Sequence, residues 1–222
     1  MTRVLLPASL MAVVLGVVVA GARADDVPMF QPDWRGQEGT TYQQWTFLDN
    51  DDPAAPEVIN NDYGDAWADI TVKENGAGWQ DYLITAPDRR GVWVDLDSIV
   101  LEIPNRQDPL DYKEIWLQVT YYEGSAVPPE ITIPGATFLD MVTEDVGPTD
   151  PTGASWIVQH SRWMIEPNPA SETIILAPPQ TAVFGITVDQ IVVDTICIPE
   201  PATAFLLIGG ILGGAWRLAR RR

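Results

Sequence analysis

Two short acidic clusters stand out for the chemistry they could do. Asp49 and Asp51 lie in Asp49-Asn50-Asp51-Asp52, and Asp62 and Asp65 in Asn60-Asn61-Asp62-Tyr63-Gly64-Asp65. Both clusters are dense in hard oxygen ligands, and the second has a glycine for a sharp turn, which makes calcium the one cofactor the sequence suggests. Their spacing is not that of an EF-hand loop, and the same residues serve equally well as Asx caps of solvated turns. Asp95 and Asp97, on one face of a strand pattern, are a weaker third option.

Aromatic side chains are the other lead. Trp34, Trp45, Trp67, Trp79, Trp93, Trp116, Trp156 and Trp163 are spread along the body. Most are expected in the core, where large apolar volume is needed. Trp93 and Trp116 fall instead on polar-alternating faces, with Tyr122 near Trp116. Together they would form a stacking platform for sugar rings, with neighbouring Asp, Gln and Thr meeting the hydroxyls.

Catalytic motifs are missing. The only histidine is His160, read as an ordinary strand-surface residue, and its neighbour Ser161 would point to the opposite face. No nucleophile elbow, zinc-protease motif or phosphate loop occurs. With 31 acidic residues, pairs of carboxylates are everywhere and discriminate nothing. The chain is therefore read as non-enzymatic, with a glycoside or ester hydrolase the least favoured alternative.

The elements that would position these residues are strands. Short runs rich in Val, Ile, Thr, Trp and Tyr are punctuated by Asp, Asn, Gly and Pro turns, and no sustained helical periodicity interrupts them. Strands are expected near 41–48, 66–73, 79–85, 91–97, 99–103, 113–122, 137–143, 155–165, 172–177 and 186–196. Such a set predicts an all-β fold, a single antiparallel two-sheet β-sandwich of jelly-roll type. Alternation places Ile115, Leu117, Val119 and Tyr121 on one face and Trp116, Gln118, Thr120 and Tyr122 on the other. Likewise Val92, Val94 and Leu96 oppose Trp93, Asp95 and Asp97.

Both ends of the chain read as targeting segments. Arg3, an apolar run from Val4 to Ala20 and the small-x-small triplet Ala22-Arg23-Ala24 form a signal peptide over 1–24, cut by signal peptidase after Ala24. At the other end, Pro199-Glu200-Pro201 precedes an uncharged run over 202–216, followed by Arg217, Arg220, Arg221 and Arg222. In lipid such a run must be helical, and the arginines would hold the C-terminus in the cytoplasm. At 15 residues the helix is shorter than the roughly 20 a stable span uses, so the inner membrane is a transient partner.

Pro-Glu-Pro, a Gly-rich hydrophobic segment and a terminal arginine cluster, in that order over 198–222, resemble the PEP-CTERM sorting domain of bacteria. The resemblance implies recognition by a membrane-embedded exosortase, processing near the Pro-Glu-Pro, and an extracellular polysaccharide neighbourhood. It covers the tail and is silent on the remaining residues.

The domain plan is then a signal peptide (1–24), an N-terminal arm (25–39), a β-sandwich domain (40–197) and a sorting tail (198–222). Six of the 13 basic residues lie in the two ends, whereas all 31 acidic residues lie in 25–201, so the body carries a formal charge of about −24. Nucleic acid is excluded as a partner on that charge. The lone Cys197 has no internal disulfide partner, so the core must hold the fold. The expected function is a secreted, surface-sorted structural or adhesive protein, membrane-anchored as a precursor. The alternative is a carbohydrate-binding module for extracellular polysaccharide.

Overall fold

A computed structural model describes residues 30–83, 86–106, 111–123, 128–147 and 153–199. The expected signal peptide with Ala22 and Ala24, the expected helix over 202–216, and Glu200, Pro201, Arg217, Arg220, Arg221 and Arg222 lie outside the described residues. Among the described residues no helix is long and apolar enough to cross a membrane.

The described chain is all-β. Eleven strands form in order: β1 (Thr40–Trp45), β2 (Val58–Asn60), β3 (Trp67–Val72), β4 (Gly78–Leu83), β5 (Ala86–Pro104), β6 (Asp111–Tyr122), β7 (Glu130–Thr132), β8 (Ala136–Asp145), β9 (Trp156–Ile165), β10 (Ser171–Ala177) and β11 (Ile186–Pro199). They join in one antiparallel sheet of order β7-β10-β5-β11-β6-β9-β8, with β1 on β11, β2 on β1, and β3 and β4 on β5. The sheet curls into a half-barrel.

The curl depends on β5. Its first half pairs with β4 and touches β11, and its second half pairs with β3 and β10. Between the halves sits Asp95, a non-glycine residue with φ of 62°, a left-handed conformation that costs energy unless its surroundings fix it. Those surroundings are specific. The Gly185 N–H donates to Asp95 Oδ1 at 2.8 Å and the Lys73 N–H donates to the Asp95 carbonyl at 2.9 Å. A Cβ on Gly185 would lie 2.5 Å from the Asp95 backbone, so only glycine permits this approach.

The kink shifts the side-chain phase of β5. Continuous alternation puts Trp93 opposite Leu96, yet both are buried in the same hydrophobic cluster, while Val92 joins a smaller one with Trp156. Where the sequence suggests separate strands over 91–97 and 99–103, the chain runs as one bent strand. The short β2 and β7 carry too few residues to show a pattern of their own.

β6 follows simple alternation. Ile115, Leu117 and Val119 are fully buried and meet Ile99, Leu101 and Ile103 of β5, Ile174 and Leu176 of β10, and Ile191 and Val193 of β11 in one core. Burying each such side chain contributes about 1.5–3 kcal/mol. The core also holds a charged pair. Lys113 Nζ lies 3.0 Å from Glu172 Oε1 with both side chains fully buried, and Asn105 Nδ2 donates to Glu172 Oε2. Burial still pushes the Glu172 carboxyl above its usual range, against the pull of Lys113.

Candidate functional site

The sheet face turned away from the core carries the richest polar and aromatic arrangement. Cross-strand pairing sets Tyr42 of β1, Asp194 of β11, Trp116 of β6, Arg162 of β9 and Asp140 of β8 in one row. The next row holds Val192, Gln118, His160 and Val142. Period-two alternation in five adjacent strands thus brings residues from distant parts of the chain onto one surface.

The N-terminal arm crosses this surface. Phe30 stacks on His160 at 4.5 Å between ring centroids, and Trp34 sets its edge against Trp116 at 5.9 Å. Trp116 in turn meets His160 edge-on at 5.1 Å. Arg35 closes the strap with a two-pronged bond to Asp194, Nε to Oδ1 at 2.5 Å and Nη2 to Oδ2 at 2.6 Å, and its guanidinium lies 4.0 Å from the Tyr42 ring centroid. Charge-assisted forks of this kind are directional as well as strong. Turns bonded through Arg35, Gln37 and Thr40 N–H groups then lead into β1.

Burial sets the electrostatics. His160 is 5% exposed, and desolvation lowers its pKa to about 4, with Asp140 opposing the shift and Arg162 adding to it. The structure corrects the reading of His160 as a surface residue: the arm covers it. Among the described residues its Nε2 has no hydrogen-bond partner. Ser161 faces the core side, where its Oγ accepts from Trp163 Nε1 at 2.9 Å, so the two are not a catalytic pair. Desolvation raises the Asp194 carboxyl while Arg35 pulls it down. Asp140 is held low by Arg162, whose Nε donates to Oδ1 at 2.8 Å.

The three aromatic residues proposed for sugar stacking do not come together. Trp93 is 6% exposed within the core, because the Asp95 kink turns it inward. Tyr122 packs on Trp156 at 5.4 Å. Trp116 is half-buried, pinned by its Nε1 donation to Glu114 Oε1 at 2.6 Å and flanked by Arg162 at 5.6 Å. An open platform of Trp93, Trp116 and Tyr122 is therefore not what this fold presents.

Asp49, Asp51, Asp62 and Asp65 are all exposed. The Asp51 N–H donates to Asp49 Oδ1 at 3.2 Å and the Tyr63 N–H to Asn61 Oδ1 at 2.9 Å, which is Asx-turn geometry. Among the described residues no three His, Cys, Asp or Glu side chains gather as a metal centre needs. Asp95 is committed to Gly185, and Asp97 is exposed. Cys197 is buried, with Asn168 Nδ2 3.5 Å from its sulfur. Pro199, the first residue of the Pro-Glu-Pro, closes β11 opposite Asp111 of β6.

Sequence reading missed the strap. Its signal was there in Phe30, Trp34 and Arg35, two rings and the arm's one positive charge in an otherwise polar segment. No family model, curated protein or solved structure matches the chain.

Proposed function

We propose that this chain is a secreted, surface-sorted, non-enzymatic structural or adhesive protein, exported by its N-terminal signal and sorted by a PEP-CTERM-like tail through exosortase. The body stands outside the cytoplasm, first anchored by the helix over 202–216 and then at the cell surface or beyond it. On this reading the half-barrel is an open jelly-roll sandwich, with the two halves of β5 serving its two layers.

The observation that best supports a load-bearing role is the place of the last strand. β11 leads straight into the Pro-Glu-Pro, and it is an interior strand, paired along its length with β6 and over six residues with β1. Both neighbours run antiparallel to it. A pull on the tail therefore loads two hydrogen-bond ladders in shear, where many bonds resist at once. An edge strand would peel away one bond at a time.

The test is cell fractionation of the full-length chain in an exosortase-bearing host, beside a variant with Pro199, Glu200 and Pro201 all changed to alanine. The wild type is expected at the surface or in the medium in shortened form. The variant is expected at precursor size in the inner membrane. Identical fates for both would reject the sorting assignment.

A second reading keeps polysaccharide as a ligand, now at Trp116 alone. A half-buried ring beside Glu114 and Arg162, the latter held by Asp140, has the mixture of stacking and hydrogen-bonding groups that sugars use. A glycan screen read by tryptophan fluorescence, with Trp116→Ala as the blank, decides it. A response that survives the substitution removes Trp116 from consideration.

A further inference from the structure

At one end of the core the apolar rows stop at three polar side chains. Lys113 of β6 continues the buried face of Ile115 and Leu117, and Glu172 of β10 continues that of Ile174 and Leu176. Asn105 directly follows β5, two residues past the buried Ile103, and its N–H donates to the Ala170 carbonyl at 2.9 Å. All three are buried, Lys113 completely. Lys73 and Lys113 are the only lysines of the chain, and lysine is almost never enclosed so fully unless it is paired. A buried ion pair is a weak way to stabilise a core, because apolar residues of similar size often do better.

The contacts among the three side chains are those a reaction needs. Lys113 Nζ lies 3.0 Å from Glu172 Oε1 and donates to Oε2 at 3.1 Å. Asn105 Nδ2 donates to the same Oε2, and to the Pro169 carbonyl at 3.3 Å. One carboxylate oxygen thus bridges a primary amine and the nitrogen of a carboxamide, whose carbon is one bond further on. Asn105 Oδ1 has no hydrogen-bond partner among the described residues, so nothing there holds the carbonyl in place. The cross-strand neighbours of Lys113, Ile165 and Cys197, are buried and uncharged.

We propose that Lys113 and Asn105 join in an intramolecular isopeptide bond once the body has folded, with Glu172 carrying the protons. The inference goes beyond surface sorting and does not depend on it.

The step balances without a co-reactant. The Lys113 ammonium passes one proton to the Glu172 carboxylate, which leaves a neutral amine and a neutral acid. The amine lone pair attacks Asn105 Cγ, forming the Cγ–Nζ bond and moving the carbonyl π pair onto Oδ1. Glu172 gives its proton to Nδ2 and takes a second one from Nζ. The Oδ1 pair re-forms the carbonyl, the Cγ–Nδ2 bond breaks with its electrons on nitrogen, and ammonia leaves. An ion pair is thereby replaced by a neutral amide and a neutral carboxyl, which removes the cost of burying two charges. Burial already pushes the Glu172 carboxyl above its usual range, the direction that favours its acid form. Holding amine and amide on one carboxylate makes the attack a unimolecular event.

β5 and β6 are not neighbours in the sheet order, since β11 lies between them. The bond would close their connection into a covalent ring across the end of the core, in a chain whose single cysteine offers no internal disulfide.

The experiment is peptide mapping of the full-length chain, purified natively in detergent and then denatured and digested with trypsin. Trypsin does not cut after an acylated lysine. The expected product is branched, 91–106 joined to 107–162, and lighter than its two parts by one ammonia, about 17 Da. Asn105→Asp should give the same branched mass, with water as the leaving group in place of ammonia. Lys113→Arg should give only linear fragments. So should Glu172→Gln, which keeps the size of the side chain but cannot shuttle a proton between the two nitrogens. Linear fragments from the wild type, cut after Lys113 and with the ammonia retained, overturn the proposal, and that result requires no variant to fold. A branched product in Glu172→Gln overturns the role of Glu172. A branch at any residue other than Asn105 overturns the pairing.

Discussion

β11 and β8 are both rich in apolar residues, and both run antiparallel to their neighbours. From Ile186 to Thr195 every residue of β11 is buried, including Thr187, Asp189, Gln190 and Asp194. Along β8 nearly every residue is exposed, including Phe138 and Met141. Residue type does not distinguish them; position in the sheet order does. β11 lies between β1 and β6 with the core on one face and the strap on the other. Among the described residues β8 has a strand neighbour on one side only, β9. The lesson is that the polar residues of an interior strand are structural, whereas the apolar residues of an edge strand add little to the core.

The sharpest test of that contrast is one substitution made twice. Val193→Asp buries an unpaired charge in the core and should cost more than about 4 kcal/mol, enough to prevent folding in a marginally stable body. Val142→Asp should change stability by no more than about 0.5 kcal/mol. Urea denaturation of both variants compares the two strands directly. Equal costs would mean that β8 is covered in solution.

Next in size is Arg35→Ala, which leaves Asp194 on β11 buried without its cation. About 2–3 kcal/mol should be lost near neutral pH. The sign with pH follows from the raised carboxyl. With Arg35 gone, the Asp194 pKa rises further, so the neutral form is retained at low pH and the penalty shrinks as pH falls. A penalty that grew toward acid would mean that the strap is held by something other than this charge pair.

A pH-dependent effect concerns His160, under the same strap. Its folded pKa of about 4 lies below the ordinary 6.5. The stability this difference contributes is complete above the unfolded value and is lost as pH falls from 6.5 toward 4. His160→Gln should flatten that limb relative to the wild type, measured as the difference in Tm between pH 7 and pH 4.5. The groups facing the ring are Phe30, Trp116, Asp140 and Arg162. A wild-type limb that persists unchanged in the variant would assign it to the carboxylates.

Alternation made much of the sheet legible in the sequence. Ile115, Leu117 and Val119 could be placed inside because β6 is a regular strand whose period of two runs unbroken. Trp93 could not, because one residue in a left-handed conformation, Asp95, resets the phase, and aspartate is as common in exposed turns as at such kinks. The strap was legible in its residue types, Phe30, Trp34 and Arg35, but not in its partners. Phe30 and Trp34 find their partners on β9 and β6, far away in sequence, and local pattern carries no information about distant contacts. The buried Lys113–Glu172 pair was hidden likewise, each charge looking like an ordinary solvated end of its strand.

The pairing of β1 with β11 has a consequence for the order of events in the chain's life. Thr41 and Thr195 share a hydrogen bond at 2.7 Å across a sequence separation of 154 residues, and Arg35 reaches Asp194 across 159. A ribosome makes β1 early and β11 last, so the first strand waits without its neighbour for almost the whole of synthesis. Contacts this distant close slowly, and no shorter portion of the chain can complete the sheet. The sheet is thus complete only once its final strand has arrived. A chain that must be passed through a narrow channel before folding needs the same delay.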